Sequence, residues 1–158
     1  MKRSEQDIRF QWDLTKIYPG TAAWEAGMQE AEAALEPLAA IPGTLGTSKE
    51  AFKKGLDTIY ASMFKVEMPY VYAFLKKTED GSVAENQEMA ARSESLIIKF
   101  NAAIAFLSPE ILAIPAEKLD EWMQDEALAT YRHTVDDIVR MRAHTLDAAR
   151  EQMLALLG

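Results

Sequence analysis

Apolar positions recur every three or four residues along most of this chain, the spacing of amphipathic helices. From about Thr21, the residues Trp24, Met28, Ala31, Leu35 and Leu38 form one apolar face. Pro37 lies late in that run and should end or bend the helix. The stretch "IPGTLGTSKE" is a loop. Thr47-x-x-Glu50 within it fits a capping box, so a second helix should begin near Ser48. Its expected buried face is Phe52, Leu56, Ile59, Tyr60, Met63 and Phe64. Pro69 falls inside the continuing pattern "MPYVYAFL" and should either kink one long helix or divide two. After a polar turn at "KKTEDGS", a third helix is expected from about Ser82 to Phe106 on Met89, Leu96, Phe100, Ala103 and Leu107, widened by Ile97 and Ile104.

In "SPEILAIPAEKLDEWM", Pro and Glu twice occupy positions that a first helical turn favours. A further helix carries Leu128, Tyr131, Val135, Ile138, Val139 and Arg142. A last one starts at Thr145 and bears the apolar stripe Met153, Leu154 and Leu157. No period-two alternation and no Asn-Gly or Asp-Gly hairpin signal interrupts this pattern. The expectation is an all-α fold of about five to six helices in antiparallel hairpins. It is one domain, residues 21–158, preceded by an extended arm over 1–20 that ends on the Pro19-Gly20 turn and offers Phe10, Trp12 and Tyr18 as aromatic anchors.

Composition adds limits. With 158 residues and 49% hydrophobic content, the chain is long enough to bury a real core. Lys and Arg number 17 against 25 Asp and Glu, a net charge of −8, which disfavours nucleic acid and anionic membrane surfaces as partners. The absence of cysteine removes thiolate chemistry and Cys-ligated metals, and fits a cytoplasmic location. The N-terminus shows no signal-peptide pattern. The most apolar run, "SLIIKFNAAIAFL", is broken by Lys99 and Asn101 and is too short to span a bilayer.

Candidate chemistry is sparse. His133 and Asp137 lie four apart on one helix face with Asp136 alongside. That spacing suits two metal ligands, but the rest of a coordination shell is not evident, and a surface His–Asp pair is the plainer reading. His144 precedes the last helix, where a helix C-terminus favours a cation. Arg132, Arg140 and Arg142 flank the two histidines. The five residues Arg132, His133, Arg140, Arg142 and His144 could meet an acidic partner, or the arginines could pair with neighbouring carboxylates. Met28, Met63, Met89 and Met123 lie among apolar positions and are expected to fill the core. No catalytic or phosphate-binding motif is present, H-E-x-x-H included.

The order of four segments is informative. "WDLTKIYPG" with Trp24, then "YVYAFLKKTED", then "LSPEILAIPAEKL", then "YRHTVDDIVRMRAHTLDAAREQMLA" resembles the N-terminal region of oligoendopeptidase F, a family of thimet-oligopeptidase-like zinc metallopeptidases. The resemblance runs from about Phe10 to the end. It implies a parent enzyme that cleaves short peptides inside the cell with one zinc ion, held by H-E-x-x-H and a further Glu. Those residues belong downstream of the part matched, so no catalytic or zinc residue carries over, and this chain alone is expected to hold no cofactor and to be inactive. What carries over is a domain role: a helical wall or lid of the substrate channel, partnered by the missing catalytic domain. Met153, Leu154 and Leu157 would then face that domain or a second copy of the chain, giving a homo-oligomer. The alternative is a stand-alone helical interaction module without catalysis.

Overall fold

The structure, a computed structural model, describes Asp7, Arg9 and residues 12–141. Among them there are helices and no strands: α1 Thr21–Ala33, α2 Lys49–Glu79, α3 Ala84–Ala103, α4 Leu107–Ala113, α5 Ala116–Met123 and α6 Arg132–Met141, with 3-10 turns at Leu14–Lys16, Glu36–Ala40 and Glu126–Tyr131. The all-α expectation holds. The apolar stripe Met153, Leu154 and Leu157, together with Arg142 and His144, lies outside the described residues.

The chain divides into two compact units, Met1–Ala39 with Ile59–Ala103, and Ala40–Thr58 with Ile104–Gly158. In the first, α1 buries Trp24, Met28 and Ala31, as the spacing predicts, and Pro37 sits in the 3-10 turn that follows. Trp24 is fully buried, and its indole N–H donates to the Pro69 carbonyl at 2.9 Å. Arg92 of α3 lies over the Trp24 ring, 5.0 Å from its centroid, and pairs with Glu25 through two bonds of 2.5 and 2.7 Å. A Ser62 hydroxyl donates to the Ala34 carbonyl at 2.8 Å. At the α2–α3 turn, Asn86 Nδ2 donates to the carbonyls of Lys76 and Asp80, both at 3.0 Å, which fixes the hairpin.

Pro69 does not divide α2, which runs unbroken from Lys49 to Glu79. The buried face of α2 departs from expectation past Ile59. Phe64 is 64% exposed, and Tyr60 and Met63 are only partly covered. The core takes Ser62, Val66, Pro69, Tyr72 and Ala73 instead. Apolar residues occupy more than one side of the helix here, so periodicity alone could not choose between them.

The helix begins at Lys49 as expected, but the cap is Ser48, whose Oγ accepts from Ala51 N–H at 3.1 Å; the Thr47 hydroxyl turns back to the Thr44 carbonyl. In α3, Met89, Leu96 and Phe100 are buried and Ile98 is 64% exposed. By length and composition alone the stretch Ala84–Ala113 is apolar enough to cross a membrane. Here it is two helices separated by a turn at 104–106, and it carries the Arg92–Glu25 pair.

The second unit buries Phe52 and Leu56 of α2 with Ile111, Leu119, Trp122, Leu128 and Val135. Phe52 and Trp122 meet with centroids 5.6 Å apart. Gly55 lets Ile41 and Leu45 reach the α2 backbone: a Cβ there would lie 3.2 Å from Ile41 Cγ2 and closer still to Leu45, which is fully buried. Glu110, placed by sequence in a first helical turn, also accepts from the Gly43 and Leu45 amides, and Gly43 has φ +81°. Of the four methionines expected in the core, Met28 and Met89 are buried and Met63 and Met123 half-buried.

Two outcomes follow for stability. Trp24→Phe removes the indole donor and should lower unfolding free energy by about 1–3 kcal/mol, read as a fall in urea midpoint. Gly55→Ala gains helix propensity, about 1 kcal/mol, but overpacks two buried side chains; a net loss of about 1–2 kcal/mol is expected in the same assay.

Candidate functional site

Of the Arg/His strip, Arg132, His133 and Arg140 lie among the described residues. Arg132 turns into its own fold: Nε donates to the Met123 carbonyl at 2.8 Å, and the other end reaches the carbonyls of Gln124 and Asp125, each at 3.5 Å, and Glu126 at 3.3 Å. It therefore caps the C-terminus of α5 and the turn that follows, where carbonyls lack helical partners. His133 and Arg140 stand on exposed α6 and share one carboxylate. His133 Nε2 lies 3.4 Å from Asp137 Oδ2, and Arg140 pairs with Asp137 Oδ1. The His133 side chain is 89% exposed. The expected His–Asp proximity is real, but the site has two donors in open solvent. Among the described residues no group of three or more His, Cys, Asp or Glu side chains could hold a metal ion, so they do not fit the zinc that the resemblance attaches to the parent enzyme.

Nearby, the second unit has an electrostatic cluster that sequence spacing did not show. Tyr131 donates its hydroxyl to Asp57 at 2.5 Å, and Lys53 pairs with the same carboxylate at 2.7 Å. Burial pushes the Asp57 carboxyl up, but the hydrogen bonds from Lys53 and Tyr131 outweigh it, leaving it below the ordinary aspartate value. Lys49 pairs with Asp125 at 2.5 Å, and Lys118 donates to the Gly46 carbonyl while lying over the Trp122 ring. These contacts tie helices together.

The first unit holds a cavity of about 600 Å³ between the segment 12–21 and the end of α2. Tyr18 and Tyr72 form one wall, edge to face, with centroids 5.4 Å apart and planes at 88°. Tyr18 packs against α1 at Gly27, where a Cβ would come within 2.7 Å of Tyr18 Cζ. Asp13 bends the arm through bonds from Thr15, and Leu14 is buried as its anchor. Of the expected aromatic anchors, Tyr18 is packed, Trp12 is 58% exposed at the cavity lip, and Phe10 lies outside the described residues. Sequence reading missed this cavity, because Lys76 and Glu79, which also line it, are some sixty positions from Trp12.

The outward face of α2 in the same unit is apolar. Phe64, Val71 and Phe74 are 64%, 40% and 52% exposed, and Tyr70 stacks on Phe74 with centroids 6.2 Å apart.

The described residues thus form an all-α fold whose first unit carries a cavity and an apolar face. Comparison with known proteins places it further. The family model described as Oligopeptidase F matches residues 110–158. A plasmid-encoded oligoendopeptidase F of Lactococcus lactis subsp. cremoris is 31% identical over 158 residues, covering 99% of this chain and 26% of the relative. The Bacillus subtilis oligopeptidase PepF is 28% identical over 154 residues, 97% of this chain and 23% of that protein. A crystal structure of oligoendopeptidase-F from Enterococcus faecium superposes with a TM-score of 0.74 at 29% identity, over 84% of this chain and 26% of that one. One of a putative peptidase from Chlamydophila abortus reaches a TM-score of 0.83 at 24% identity and shares the fold. The chain is an N-terminal portion of the oligoendopeptidase F family and spans about a quarter of the length of the relatives it matches.

The ion pairs set a pH dependence. Arg92 holds the Glu25 carboxyl below its ordinary value, so the pair stabilises the fold above the unfolded-state pKa of glutamate and loses that contribution as pH falls through the lowered folded value. Both side chains are about two-fifths exposed, so the contribution is roughly 0.5–1 kcal/mol. Stability measured by urea unfolding from about pH 6 to about pH 3 should fall less steeply in Arg92→Met than in the parent chain.

Proposed function

We propose that this chain is the helical wall or lid of the substrate channel in an oligoendopeptidase F-like zinc metalloendopeptidase that cleaves short peptides in the cytoplasm. The observation that carries the reading is similarity over the whole chain to proteins named oligoendopeptidase F that are about four times as long. The apolar outward face of α2 supports it. Large side chains such as Phe64 and Phe74, exposed together, mark a surface that another part of a protein covers. In this reading the zinc site and the general base reside in the remaining three-quarters, and the helices here limit which substrates reach them.

The test replaces the matching segment of the Lactococcus lactis oligoendopeptidase F with this chain and follows cleavage of a fluorogenic peptide. The chimera should turn over, the 158-residue chain alone should not, and a Phe64→Glu, Phe74→Glu chimera should lose most of its activity while the isolated variant chain stays folded. Hydrolysis by the isolated chain, abolished by a chelator, would overturn the proposal. An inactive chimera beside an isolated chain that forms a stable dimer would favour the interaction-module reading instead.

A further inference from the structure

The cavity of the first unit has a composition that no peptidase role assigns. Three aromatic rings line it, Trp12, Tyr18 and Tyr72, and two carboxylates, Asp13 and Glu79, stand at its walls against one ammonium, Lys76. Further negative charge lies close by. Thr21, at the cavity rim, donates its hydroxyl to Glu85 at 3.0 Å. Burial raises both phenols above the ordinary tyrosine value, with Glu30 adding to the effect at Tyr18, and Glu79 and Glu85 at Tyr72. Both rings therefore stay neutral and keep hydroxyls that can accept as well as donate. Asp13 is held ionised by the Thr15 hydroxyl and amide, with Lys16 nearby. Four carboxylates, Asp13, Glu30, Glu79 and Glu85, thus outnumber Lys16 and Lys76 around an aromatic hollow. A ring face attracts a cation, and a carboxylate beside it adds charge-assisted hydrogen bonding. An anion would meet the same carboxylates and be repelled.

We propose that this cavity binds an organic cation, an alkylammonium or guanidinium group, held against the aromatic wall and paired with Asp13 and Glu79. A peptide can bring that chemistry as an arginine or lysine side chain or as its free amino terminus. The proposal does not depend on the channel-wall reading, because the cavity is complete within the first unit. The volume, about 600 Å³, is ample for such a group with part of the residue that carries it.

The experiment is a nuclear magnetic resonance titration of the full 158-residue chain, following the backbone amides of Gly20 and Thr21. The probes are N-acetyl-arginine amide, with a side-chain cation only; alanine amide, with a free amino group only; and N-acetyl-alanine amide, with no cation. Saturable shifts are expected with at least one cationic probe, whose identity names the source, and none with the neutral one. Asp13→Asn combined with Glu79→Gln should weaken binding about tenfold, while Lys76→Met leaves it unchanged or tightens it. Trp12→Ala, at an exposed position, provides a second variant that does not perturb the core and should also weaken binding. Equal shifts with the neutral probe, no saturable shift with either cation, or unchanged affinity in the Asn/Gln and Trp12→Ala variants would each overturn the proposal.

Discussion

The first unit depends on a hydrogen bond from a fully buried indole to the carbonyl of a proline inside a helix. Trp24 has nowhere else to place its N–H, and an unsatisfied buried donor costs about 1–3 kcal/mol. Pro69 carries its own cost, about 3 kcal/mol in an ordinary helix interior, because it lacks the N–H that would bond four residues back. Fully buried, it brings α2 backbone to the tryptophan, and tertiary packing offsets that cost. Arg92 then closes the arrangement from α3, its guanidinium over the ring and its charge on Glu25. Three helices converge on one side chain, and the orientation of α2 follows from it.

That orientation explains what the sequence could and could not show. The α1 face was legible, because Trp24, Met28 and Ala31 are apolar on one side only and polar residues fill the other. The corresponding face of α2 was legible only to Ile59. Beyond it, Phe64, Val71 and Phe74 compete with Val66, Tyr72 and Ala73 at the same helical period. A hydrophobicity count favours the larger side chains, whereas the buried side sets the Pro69 carbonyl on Trp24 and the Ser62 hydroxyl on the Ala34 carbonyl. The shift of the cap from Thr47 to Ser48 is smaller: Ser48 accepts from the Ala51 amide, while the Thr47 hydroxyl donates to the Thr44 carbonyl.

Candidate site residues were harder to read for a different reason. Arg132, His133 and Arg140 are close in sequence, and their spacing left open both an acidic partner and pairing with neighbouring carboxylates. The fold assigns them separate partners: backbone carbonyls for Arg132, and a common Asp137 for the other two. The cavity shows the converse. Trp12, Tyr18, Tyr72 and Glu79 come together only when the arm returns across the end of α2, and no local spacing announces such a meeting. The one clue was Gly27, a glycine in a helix interior, where a smaller residue than propensity favours leaves room for the Tyr18 ring.

The two surfaces of the first unit are built by opposite solutions to burial. On the α2 face, Phe64 and Phe74 stay exposed although the chain holds enough polar residues to replace them, and the unit's core is complete without them. At the cavity, the Tyr18 and Tyr72 rings meet edge to face along one wall, and carboxylates stand next to them. Filling that hollow with aliphatic side chains would stabilise the domain more. Keeping it open, acidic and aromatic costs packing, a cost that the proposed organic cation would offset when bound.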